Sequence, residues 1–128
     1  MDTDIVTVNE HEPVDLVANL MVWNNIRHVM VEGDDNRLVG LVSQRRLLSL
    51  VGTYQPEEME APLPVSEIMQ RDPTTVAPEA STVEAIEIMR TNGWACLPVV
   101  KDDHLVGVLT ESQLMKIAGE LLEQKLRE

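Results

Sequence analysis

Apolar and polar positions along the chain fall into two matching series. Asp4 to Val8 is rich in β-formers and reads as a short strand. Pro13 then opens a helix, at a position that tolerates its missing N–H. Val14, Val17, Leu20 and Met21 follow at the three- and four-residue spacing of one buried face. Arg27 to Val31 predicts a second strand, Gly33-Asp34-Asp35-Asn36 a hairpin turn, and Leu38 to Val42 a third strand. Ser43 is placed to cap a helix with Leu47, Leu48 and Val51 on its inner side.

The same order recurs further on. Val65 to Met69 reads as a short lead-in helix and Pro73 to Val76 as a strand. Ser81 to Asn92 reads as a helix opened by the capping box Ser81-Thr82-Val83-Glu84 and closed by Gly93. Cys96 to Val100 and His104 to Leu109 pair around Lys101-Asp102-Asp103, and a long helix runs from Thr110 toward Gln124. Thr110-Glu111-Ser112-Gln113 is a second capping box.

The recurrence is an internal repeat. Leu105-Val106-Gly107-Val108-Leu109-Thr110 is a near copy of Leu38-Val39-Gly40-Leu41-Val42-Ser43, and its glycine lies 107 − 40 = 67 positions on. Upstream the offset is 68, matching Met1 with Met69, Asp4 with Asp72, Val8 with Val76, Met21 with Met89 and Val31 with Val99. The one-residue difference falls in the polar hairpin turn, where two copies of one unit tolerate a length change. Gly52 to Pro64, with three prolines and three glutamates, separates the copies. Residues 1–52, 53–64 and 65–128 therefore read as first repeat, linker and second repeat. The expected fold is α/β: two β-α-β-β-α repeats, each too small to bury a comfortable core alone, packed sheet to sheet in pseudo-twofold fashion.

Composition narrows the function. A formal charge of −12 argues against a nucleic-acid surface, and with no Phe and only Trp23, Trp94 and Tyr54 aromatic there is no stacking platform for single strands. It leaves room for a small anion in a locally basic cleft. No apolar run approaches the ~18 residues of a membrane span. The single cysteine, Cys96, excludes an internal disulfide and sits in an apolar run, as a buried thiol in a reducing, cytoplasmic compartment would. His11, His28 and His104 lack metal-ligand spacing, Cys96 has no basic partner nearby in sequence, and the six glycines are scattered singly. No catalytic constellation emerges, and the chain reads as a non-enzyme.

The ordered motifs Val65-Ser66-Glu67-Ile68-Met69-Gln70-Arg71-Asp72-Pro73-Thr74-Thr75-Val76, Leu97-Pro98-Val99-Val100 and Leu105-Val106-Gly107-Val108-Leu109-Thr110, with their counterparts from Met1 onward, carry a family likeness. The sequence resembles a tandem pair of CBS domains (a Bateman module), the nucleotide-sensing unit named after cystathionine β-synthase. Met1 stands where the second copy has Met69, so the first copy lacks its lead-in, which reads as a piece excised from a longer protein. The resemblance implies a regulatory module that takes AMP, ADP, ATP or S-adenosylmethionine as regulatory ligand, with no required cofactor. It also implies a disc-like homodimer made through the helices and control of a fused or associated effector domain.

The resemblance places candidate nucleotide contacts at Thr7, Arg27, His28, Val29, Ser43, Arg45 and Arg46 in the first repeat. In the second they are Thr74, Thr75, Trp94, Ala95, Cys96, Leu97, Pro98, Thr110 and Gln113. Strand backbone would read the base, and a helix N-terminus would favour the phosphate. In the family, the hydroxyl residue after the third strand is followed three positions later by an aspartate that holds the ribose. Here Ser43 is followed by Arg46 and Thr110 by Gln113, so both aspartates are absent. Each polar candidate also has a plain structural reading. Arg27 and His28 stand at a strand end, Arg45 and Arg46 on an exposed helix turn, Gln113 as a cap and Trp94 as core. The competing function is a structural dimerisation module without nucleotide binding.

Overall fold

The computed structural model describes residues 5–51, 63–94 and 96–127. The linker read at 53–64 falls outside them, apart from Leu63 and Pro64. The chain divides into two compact units, Ile5–Pro73 and one containing residues 74–127.

The first unit is a four-stranded sheet in the order β1 (Thr7–Asn9), β2 (His28–Glu32), β3 (Leu38–Ser43), β4 (Gln70–Arg71). β1 runs parallel to β2, and the other pairs are antiparallel. A parallel neighbour requires a crossover, which is supplied by helix α1 (Val14–Asn24). α1 packs Val17 and Met21 into the core and ends at Asn25, which adopts the left-handed conformation (φ 53°) that Asn tolerates. The turn between β2 and β3 closes through Gly33 N–H to Arg37 O at 2.8 Å, with Asn36 also left-handed. Asn9 Nδ2 donates to Asp34 Oδ1 at 3.1 Å, tying that turn to β1.

Helix α2 (Gln44–Val51) starts where expected, since Ser43 Oγ accepts from Arg46 N at 3.1 Å. Its inner face is corrected by the structure. Leu47 and Leu50 pack on the core while Leu48 is 66% exposed, because positions 47 and 50 are one turn apart and 48 lies well round the cylinder. The Val51 side chain lies outside the described residues.

The lead-in of the second sequence repeat is built into this first unit. A 3₁₀ turn at Val65–Glu67 follows an antiparallel bridge between Pro13 and Pro64, and β4 pairs with β3 at Gly40–Arg71 and Leu41–Gln70. Val65 N donates to Glu12 O at 2.8 Å and Ser66 N to Glu10 O at 3.0 Å. Val65, Ile68 and Met69 share one core with Val8, Val17, Met21, Val29, Val31, Val42 and Leu50. Each fully buried valine there contributes about 1.5–3 kcal/mol. Val65 is one of them, so residues 63–71 hold the first unit together.

In the second unit β5 (Cys96–Lys101) and β6 (His104–Thr110) form a hairpin. Its turn residues Asp102 and Asp103 both have positive φ, 53° and 66°, which matches the strand twist of a two-residue turn. The strand expected at Pro73–Val76 is reduced to a single parallel bridge between Val76 and Val99. Pro73 has no amide to donate. Val76 alone makes the ladder, giving its N–H to Pro98 O at 3.1 Å and accepting from Val100 N at 2.8 Å. Helix α3 (Thr82–Asn92) is capped by Ser81 Oγ on Glu84 N at 3.1 Å and closed by Gly93 at φ 67°. Helix α4 (Glu111–Arg127) buries Leu114 in a core with Val76, Ala85, Met89, Leu97 and Val99. Met115, Leu122 and Leu126 are more than half exposed. Among the described residues no helix is long and apolar enough to cross a membrane.

Candidate functional site

Five of the first-repeat candidates meet at one corner of the first unit. His28 opens β2 and pairs with Ser43, the last residue of β3. Gln44 N donates to Arg27 O at 2.8 Å, so the start of α2 is fastened beside the strand end. Arg45 and Arg46 occupy the first turn of α2, which holds no acidic residue. Three guanidinium-bearing residues, a hydroxyl and an imidazole are thereby gathered within a few residues of one helix start.

The electrostatics of this corner favour an anion. The burial of His28 and the charge of Arg27 both hold its imidazole below the ordinary histidine value, keeping it neutral near pH 7. Neutral imidazole offers one donor and one acceptor. Among the described residues, none of Arg27, Arg45 and Arg46 meets a carboxylate within ion-pair distance. Arg46 Nε donates to Ile68 O at 3.1 Å, occupying one of its five N–H groups. Thr7 lies on β1 opposite Met30 and is exposed, while Val29 is fully buried in the core and offers only strand backbone.

The equivalent corner of the second unit is built differently. Cys96 faces Thr110 as His28 faces Ser43. The Cys96 side chain is 4% exposed and its thiol is pushed up to about 11 by burial. Where Arg46 stands in the first unit, Gln113 stands here. It accepts from Thr110 N at 3.1 Å through Oε1, and its own N–H donates to Thr110 Oγ1 at 3.3 Å. Thr110 also exchanges a hydrogen bond with Ser112 at 3.3 Å. Leu97 and Pro98 are fully buried, and Trp94 packs beside the core with Ile86, Ile88 and Leu109. Thr74 and Thr75 are exposed and belong to no strand. Ala95 lies outside the described residues.

Sequence reasoning missed two contributors, the Ile68 carbonyl and the backbone amide of Gln44. A carbonyl 22 residues from its partner leaves no local signal. Among the described residues no cluster of three or more His, Cys, Asp or Glu is placed to hold a metal ion.

The fold recurs in known proteins. The chain is 34% identical over 97% of its length to a segment of the A-adding tRNA nucleotidyltransferase of Aquifex aeolicus, and spans 14% of that enzyme. Among solved structures it is similar to AcuB of Vibrio cholerae. That likeness has 34% identity and a TM-score of 0.79, and covers 100% of this chain and 93% of the other. It is similar also to CBSX2, solved in complex with AMP, with 26% identity and a TM-score of 0.82, covering 94% and 93% of the two chains. The CBS domain family model matches twice, over residues 1–53 and 65–120. With two matches that together take in most of its length, the chain belongs to the CBS-domain family.

Proposed function

We propose that this chain is a regulatory module that binds an adenosine nucleotide, AMP foremost, at the corner formed by Arg27, His28, Ser43, Arg45 and Arg46. Binding would control a fused or associated domain. The observation that carries the reading is the gathering of three arginines at the start of α2, beside a strand end, on a chain of net charge −12. Basic groups on an acidic protein at a helix start suit a phosphate, and the strand backbone beside them suits a base. The AMP complex of CBSX2 supports the same ligand class. The module comprises the two repeats read at residues 1–52 and 65–128, and it works as a homodimer through its helices. The exposed Val22 and Trp23 on α1 and Met115, Leu122 and Leu126 on α4 support that assembly.

Coupling follows from differential affinity. A nucleotide shifts the module between two arrangements only by as much as it binds one better than the other. The test is thermal unfolding of the chain with AMP, ADP, ATP and S-adenosylmethionine in turn, alongside Arg27→Ala and Arg45→Ala. A ligand at ~100 times its Kd adds ~2.7 kcal/mol, a shift of several degrees for a domain of this size. AMP raising the midpoint in the native sequence and losing that effect in both variants supports the reading.

The second reading is a structural dimerisation module. It is favoured by the second corner, where Gln113 is engaged as a cap and no arginine is gathered. A folded dimer whose midpoint no nucleotide moves would establish it over the first.

A further inference from the structure

We infer that Arg46 is a positioning residue that ties the nucleotide corner to the segment joining the two units, so that anion binding there tightens that segment; this rests on the nucleotide reading above. Arg46 is fixed at both ends. Its backbone N–H is held by Ser43 Oγ at 3.1 Å, and its Nε donates to Ile68 O at 3.1 Å in a partly buried position. Ile68 is 2% exposed and sits between the Val65–Glu67 turn and β4. From β4 the chain runs through Asp72, left-handed at φ 51°, and Pro73 into the second unit at Thr74. Residues 65–71 therefore form the covalent lead from the first unit into the second.

A guanidinium serves two partners at once because its donors are spread over three nitrogens in a rigid plane. With Nε on the Ile68 carbonyl, the two terminal nitrogens remain for a phosphate. An anion that fixes the plane also fixes Nε, which strengthens the hold on Ile68 and slows opening of residues 65–71. Lysine has one nitrogen on a flexible stem and cannot hold both partners in one geometry.

The test is hydrogen–deuterium exchange on the full chain with and without saturating AMP, with AMP affinity measured calorimetrically on the same samples. In the native sequence AMP slows exchange at residues 65–71 about tenfold, the scale of one hydrogen bond to a charged group. Arg46→Ala speeds exchange there about tenfold without nucleotide, and AMP no longer slows it. In Arg46→Lys, native-like exchange in β1, β2 and β3 shows a folded unit, and AMP, raised to saturation by the affinity measured for that variant, leaves exchange at 65–71 unchanged. If the native chain binds AMP and residues 65–71 do not respond, the coupling is wrong while the nucleotide reading stands. An undiminished AMP response in Arg46→Lys overturns the coupling equally. A native chain that binds no AMP overturns both.

Discussion

Thr110 and Gln113 cap one another. The Thr110 amide donates to Gln113 Oε1 at 3.1 Å, and the Gln113 amide donates to Thr110 Oγ1 at 3.3 Å. Two N–H groups at the start of α4 are thus satisfied reciprocally. Gln113→Ala and Thr110→Val each remove one of the two bonds and are expected to destabilise the protein by about 1 kcal/mol, read as a lower thermal midpoint. On the proposed reading neither alters the AMP affinity, because both lie outside the five residues proposed to bind it. A loss of AMP binding in Gln113→Ala would assign the ligand to the second corner instead.

Gly40 is the point where β3 meets the lead-in most closely. A Cβ at this position would fall well inside contact with Met69 Sδ and Cγ and lie 3.1 Å from the Gln70 carbonyl. Met69 is buried in the core, so it has little room to yield. Gly40→Ala is expected to destabilise by about 1–3 kcal/mol, and Met69→Ala by about 2–5 kcal/mol. Together they should cost less than the sum, since truncating Met69 makes room for the new methyl. Denaturant unfolding of both single variants and the double variant measures the difference, and strict additivity would contradict the contact.

Cys96 sets an alkaline limit. Burial raises its thiol from 9.0 to about 11, so the folded state keeps the proton that the unfolded chain releases. Its contribution is present in full below pH 9 and is lost as pH rises through about 11. Native protein at pH 8 should react with iodoacetamide far more slowly than urea-unfolded protein, whereas equal rates would show an accessible thiolate.

His28 acts in the opposite direction along the pH scale. Its folded value lies below the ordinary histidine value of 6.5, from burial first and the Arg27 charge second. The unfolded chain therefore binds this proton more readily, and the stability the neutral ring confers is present above pH 6.5 and is lost as pH falls through the folded value. Arg27→Ala should move the His28 midpoint upward in an NMR titration by removing the second cause. No movement would mean that the Arg27 charge does not reach the ring.

Local chemistry was readable in the sequence and long-range pairing was not. The caps at Ser43, Ser81 and Thr110, the Gly93 stop and both hairpins depend on residues a few positions apart, and all stand as read. The misplacement of Leu48 came from treating consecutive apolar residues as one face. The pairing of Gln70 and Arg71 with β3 was invisible because it joins residues about thirty positions apart through two short polar stretches. For the site, Ser43, Arg45 and Arg46 were legible as neighbours, and His28 joined them through the hairpin register. The hold of Arg46 on Ile68 depended on where the lead-in packs, which only the three-dimensional structure supplies.

Occupation of the first-unit corner by an adenosine nucleotide is tested by an amide NMR titration of the chain with AMP. Saturable shifts are expected, centred on Arg27, His28 and Gln44 to Arg46 and extending to residues 65–71. Shifts centred on Cys96 and Thr110 to Gln113, or no shifts at millimolar AMP, would contradict it.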